Sequence, residues 1–194
     1  PKFPGARYVL IHTIAHALIL QFSLDCGYPA TSLRERIYSS EDPEKKMAGV
    51  LIYTAGADSE GSLGGLVDLG SSEEFPKLLK KALKNLTRCS SDPVCADHQP
   101  DIHATINGAA CHSCSYVAET SCELFNRFLD RSFVVPTINS GDMAFFRDVR
   151  KFGKMKIISK SEQNEKFNPS FDILSSFYDL KKHMKFLREK IRDE

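Results

Sequence analysis

Four of the six cysteines crowd into one short stretch, spaced Cys89-x5-Cys95-x15-Cys111-x2-Cys114. Two thiol pairs separated by a loop suit a tetrahedral Zn²⁺ ion, and four thiolates leave no open position for water. Such an ion is structural and braces a loop too poor in apolar residues to fold unaided. Cys-x2-Cys is a strong signal, whereas Cys-x5-Cys is looser than usual zinc spacing. Pro93 is expected to shape the turn that brings Cys89 back towards Cys95. Reduced free thiols and disulfides are the competing readings. His98, His103 and His112 share the loop and could each replace one cysteine, although a loop histidine is more often solvated. Cys122 reads as a packed residue of a helix, and Cys26 receives the same reading.

A second polar group sits at His12 and His16, four residues apart and hence on one face of a helix. Their helix is the most apolar in the chain, so the imidazoles need partners: an unpaired buried polar group costs about 1–3 kcal/mol. Arg34, Glu35, Arg36, Asp58 and Glu60 are available. One reading is a metal or phosphate site of His12, His16 and Glu60, with backbone N–H groups from the glycine-rich residues 61–65. The other is an internal hydrogen-bonded network that fixes the fold. Thr13 follows His12, so the general base of the His-Glu-x-x-His zinc proteases is absent. A third feature is the basic stripe Lys77, Lys80, Lys81, Lys84 and Arg88, which ends beside the first cysteine of the quartet. It is either a solvated helix face or a surface for nucleic-acid phosphates, which would position a duplex without reading its bases.

The elements carrying these residues follow from periodicity. Residues 6–24 read as a helix, apolar almost all round and stopped by Gly27-Tyr28-Pro29. Ser32 and Glu35 offer a capping box, although Arg36-Ile37-Tyr38 fits a strand start equally well. Residues 49–54 read as a buried strand, and residues 57–66 as a turn feeding a short helix. Residues 73–88 are the clearest amphipathic helix, with Leu78, Leu79, Ala82, Leu83 and Leu86 inward. After the cysteine loop, residues 119–131 return to a helical pattern with Leu124, Phe125, Phe128 and Leu129 inward. Residues 159–170 read as a linker and residues 171–191 as a terminal helix whose apolar seam could dock on a partner.

Composition bounds the rest. The 194 residues carry 42% apolar side chains, enough for one domain with a core, and a net charge of +1. That balance makes no case for a globally basic nucleic-acid binder, so any such role rests on local patches. The charge is uneven: residues 147–194 are net +5 and residues 1–146 net −4. The longest apolar stretch, residues 8–24, is interrupted by His12, Thr13, His16, Gln21 and Ser23, which argues against a membrane span. No charged segment followed by an apolar one opens the sequence, so no secretory signal is expected. No Gly-x4-Gly-Lys-Ser/Thr phosphate loop occurs, and any helicase motor is expected elsewhere.

Several short motifs, in order, resemble the MrfA zinc-binding (MZB) domain family. They are His12-Thr13-Ile14-Ala15-His16, Glu35-Arg36-Ile37-Tyr38, Ile52-Tyr53-Thr54 and Glu60-Gly61-Ser62-Leu63-Gly64-Gly65. Downstream come the cysteine quartet, Glu119-Thr120-Ser121-Cys122-Glu123, Asn126 and Leu129-Asp130-Arg131. The likeness covers roughly residues 7–135 and includes the DrmB-like C-terminal domains of the DISARM anti-phage system. It implies that Cys89, Cys95, Cys111 and Cys114 are ligands of a structural Zn²⁺. It also implies an accessory module attached to a superfamily 2 helicase, as subunit or domain, with DNA as a further partner.

The expectation is therefore an α+β fold. Residues 1–135 form a single compact domain with a four-cysteine zinc loop, and residues 136–194 form an extension of linker and terminal helix. The expected function is a cytoplasmic, zinc-binding accessory role in helicase-associated DNA processing or phage defence, with no catalytic activity in this chain. A phosphoesterase or nuclease using His12, His16 and Glu60 is the competing class, and a pure interaction scaffold the third.

Overall fold

A computed structural model describes residues 3–40, 42, 44–55, 65–138, 140 and 143–148, with Cys26 through its backbone alone. Helix α1, Ala6–Cys26, occupies the predicted segment. It ends where Gly27 takes a left-handed conformation (φ 68°), which a residue without Cβ adopts at little cost. By length and composition it would suffice to cross a bilayer, contrary to the expectation from its interrupted apolar run. Most of it is instead buried within the protein. Ala15, Ile19, His12, Thr13 and His16 have no exposed surface, as befits a helix at the centre of a core.

Two strands and two further helices pack around this axis. Strands β1, Leu33–Ser40, and β2, Met47–Thr54, pair antiparallel, with Leu33 opposite Thr54 and Ser40 opposite Met47. Ser32 Oγ donates to the Pro29 carbonyl, so the strand reading replaces the capping box. Alternation along β1 turns Leu33, Glu35 and Ile37 to the core, against α1. Strand β2 is not buried as expected. Met47, Leu51 and Tyr53 are exposed, and no residue of the strand is fully buried.

Helix α2 is short, Gly65–Leu69, and α3 spans Phe75–Leu86 with Pro76 in its first turn. Leu78, Leu79, Ala82, Leu83 and Leu86 are all buried, and α3 packs on α1. Leu83 has no exposed surface. Leu83→Ala is expected to cost about 2–5 kcal/mol through lost burial and a residual cavity, read as a lower urea midpoint.

Residues 119–131 do not form the expected helix. A 3₁₀ turn, Glu119–Ser121, is followed by irregular chain in which Phe125, Asn126 and Phe128 take φ of 53°, 59° and 61°. Left-handed residues break a helix, and Phe125 is exposed rather than inward. Side-chain amides hold this path. Asn126 Oδ1 accepts from Val117 N–H at 3.0 Å while its Nδ2 donates to the Val117 carbonyl at 2.9 Å. Asn107 Nδ2 donates to the Asn126 carbonyl, and its Oδ1 accepts from Leu129 N–H. Beyond another 3₁₀ turn, Arg131–Phe133, the N–H groups of Phe145 and Phe146 donate to the carbonyls of Phe133 and Val134. The linker and terminal helix expected over 159–191 lie outside the described residues.

Candidate metal centre

Residues 89–114 contain turns but no helix or strand. The Cys89 carbonyl accepts from Asp92 N–H and the Ser91 carbonyl from Cys95 N–H, which folds the looser pair into one tight turn. On the other side Cys114 N–H and Ser115 N–H both donate to the Cys111 carbonyl. The four sulfur atoms lie within 4.8 Å of one another. Cys89 and Cys111 are 3.4 Å apart, and Cys114 lies 3.8 Å from both Cys95 and Cys111. A tetrahedron of thiolates at a Zn–S distance of about 2.3 Å has edges of about 3.8 Å. All these cysteines are free, so the disulfide reading fails. The cluster is able to hold a metal.

Burial pushes the Cys114 thiol up to about 11, with the Cys111 and Cys89 charges adding to it and the Ser115 hydroxyl working against it. Burial and the Cys114 charge push Cys95 up as well. Cys111 goes the other way: burial opposes ionisation, but hydrogen bonds from Ser113 N–H, Cys89 and Ser91 bring it down to about 7. Four thiols in one place resist losing their protons together, which is the electrostatic problem a dication solves.

One buried cation lies behind the cluster. Arg131 has no exposed surface; its Nη1 donates to the Leu86 carbonyl at the end of α3 at 3.0 Å, and its Nη2 pairs with Asp92. Burial works against its charge, but Asp92, Cys114 and Cys95 hold the guanidinium protonated. Gly108 lets the Cys111 side of the loop approach Asp130, since an added Cβ would meet Asp130 Oδ2 at 2.1 Å. Asp130 Oδ1 accepts from Ala109 N–H and from Ser132.

The His12 and His16 pair forms a second cluster. Glu35 Oε1 lies 2.9 Å from His12 Nε2 and 3.4 Å from His16 Nε2, and all three side chains are fully buried. Burial pushes the Glu35 carboxyl up, yet the His12 hydrogen bond and the nearby imidazole of His16 outweigh it and hold it at about 2. Cys122 Sγ is 3.1 Å from His12 Nε2. Burial, with the Glu35 charge adding to it, pushes this thiol up to about 12.

The profile of the MrfA Zn-binding domain matches residues 14–115. The chain belongs to this MZB family. It is also 51% identical over 140 residues to the DISARM protein DrmB of Bacillus paralicheniformis, an alignment covering 72% of this chain. It spans only 24% of that relative's length. The MZB match contains all four clustered cysteines, His16 and Glu35, and ends before Cys122.

Around the MZB cluster the other sequence candidates disperse. His98 bonds to Thr105, His103 to Gln99, and His112 stacks edge-on against Tyr116, so none approaches the sulfurs. Glu60 lies outside the described residues, and the carboxylate that meets the histidines is Glu35. Cys122 is buried as expected, but on irregular chain and beside His12 rather than on a helix. Of the basic stripe, Lys77 pairs with Glu74 and Lys81 with Asp25. Lys80, Lys84 and Arg88 are exposed and make no ion pair among the described residues.

Proposed function

We propose that this chain is the zinc-braced accessory module of a DrmB-like DISARM protein, holding one Zn²⁺ on Cys89, Cys95, Cys111 and Cys114. The convergence of those four sulfurs within 4.8 Å carries the reading. Bound there, zinc supplies a closed tetrahedral cross-link and no catalytic position. The thiols draw the two ends of the loop together, and the Arg131 guanidinium offsets the negative charge of four thiolates around a dication. The cytoplasm fits this role, since a reducing compartment keeps thiols available to a metal.

In the same reading the module contacts DNA phosphates through Lys77, Lys80, Lys81, Lys84 and Arg88 and works beside a helicase motor on another domain or subunit. Residues 1–135 form the zinc module, and residues 136–194 form an extension that meets the partner. Exposed cations on α3, running towards the Cys89 end of the metal loop, support the DNA contact. Binding to a short duplex, followed by fluorescence anisotropy across a salt series, tests it. K80E/K84E is expected to weaken binding at least about tenfold and to flatten the slope of log K against log salt by about 2. Equal affinity and slope in the variant would remove DNA from the proposal.

A further inference from the structure

We infer that His12, His16, Glu35 and Cys122 form a second, fully buried structural metal site that takes a divalent ion of the zinc class. One atom from each residue lies within 4.8 Å of the other three. The three close approaches are 2.9, 3.4 and 3.1 Å. Zinc bound at about 2.0–2.3 Å to nitrogen, oxygen and sulfur sets tetrahedral edges of about 3.3–3.6 Å, so small shifts complete the geometry. Two neutral imidazoles, one carboxylate and one thiolate also neutralise a dication, which suits a site sealed from water.

The hydrogen bonds point the same way. His16 Nδ1 lies 2.8 Å from the Ser115 carbonyl, which can only accept, so Nδ1 carries the proton. In a neutral ring Nε2 then offers a lone pair. That nitrogen is buried, has no hydrogen-bond partner among the described residues, and faces the Glu35 oxygen. Two acceptors face each other there, and a cation between them resolves the conflict. A backbone carbonyl on the far ring nitrogen is the usual support of a metal-binding histidine. The sulfur is supported too, since Cys122 Sγ accepts from Leu124 N–H at 3.4 Å and Asn126 N–H at 3.2 Å.

The ligands come from α1, β1 and the irregular chain after residue 121. Such a site cannot exist before the fold does, so the ion enters during folding and exchanges slowly. Ser115 joins it to the four-cysteine cluster: its carbonyl meets His16, and its hydroxyl donates to Cys114 Sγ at 3.3 Å. The two ions would clamp the same stretch of chain from both ends.

Elemental analysis and zinc X-ray absorption on the 194-residue protein, expressed with zinc and dialysed against chelator under native conditions, test this. Two zinc ions per chain are expected, with an average shell of about 2.5 sulfurs and 1.5 nitrogen or oxygen atoms. One zinc with four sulfurs overturns the second site and leaves the four-cysteine site standing. One zinc with one sulfur and three lighter ligands supports the second site and removes the first. Cys122→Ser is expected to lower the count by one ion and raise the mean sulfur number towards four. If that variant does not fold, the shell of the unaltered protein still decides.

Discussion

Cys114→Ser is expected to release the zinc ion of the four-cysteine cluster and unfold residues 89–114. Cys114 is buried, touches two other sulfurs and accepts the N–H of Cys111, so it sits at the centre of the cluster. Apolar packing does little to hold this loop. It has no helix or strand, and Val94, Ile102 and Ile106 point into solvent. Its buried apolar residues between the ligands are Ala109 and Ala110, whose side chains have little surface to remove from water. Structural zinc in small domains contributes roughly 10–16 kcal/mol of binding free energy that doubles as folding free energy. Losing one of four ligands forfeits a large share of it. A loss of at least about 3 kcal/mol lowers the melting temperature by about 10 °C in a chain of this size. Metal content should fall by one ion per chain, and limited proteolysis should open the loop near residues 96–106. Undiminished zinc with an intact loop would refute the ligand assignment.

Arg131→Met should be nearly as damaging, for an electrostatic reason. The guanidinium is fully buried and has two tasks. It donates to the Leu86 carbonyl at the end of α3 and pairs with Asp92 in the turn between Cys89 and Cys95. The variant leaves a carboxylate and a carbonyl without their partner, a loss of about 3–5 kcal/mol when one member of a buried pair is removed. It also withdraws positive charge from beside Cys114 and Cys95, so zinc affinity should drop in parallel. Lysine is a poor substitute, because a single ammonium cannot reach two acceptors in the fixed fork of a guanidinium. Urea unfolding of Arg131→Met, Asp92→Asn and the double variant checks the argument. The double variant should lose clearly less than the two single losses combined, since both remove the same pair. A single variant within about 1 kcal/mol of the parent would show that the guanidinium does not hold the turn.

Local chemistry was legible because it is written at short range. The quartet stands out since Cys111-x2-Cys114 and the cysteines upstream are close in the chain, and thiol pairs at such spacing have few other uses. Helix α3 was readable from its apolar stripe, and the end of α1 from Gly27, whose left-handed backbone is a property of one residue. Residues 119–131 misled because apolar spacing records which side chains want burial, not the path the backbone takes. Asn107 and Asn126 supply hydrogen bonds that substitute for a ladder, and those bonds depend on partners nine or more residues away.

The meeting of His12 and His16 with Glu35 and Cys122 lay beyond sequence reasoning. His12 and Cys122 are 110 residues apart, and Glu35 was one of five charged residues available. Choosing Glu35 required the register of β1, which places it between Leu33 and Ile37 on the face turned to α1. A one-residue slip would have sent it to solvent. Arg131 was hidden for the same reason, since its burial follows from where the end of α3 and the first cysteine turn come together. Residue types and short spacings told which atoms could bind a metal. Long-range packing settled which of them meet, because contacts between distant segments leave no period in the chain.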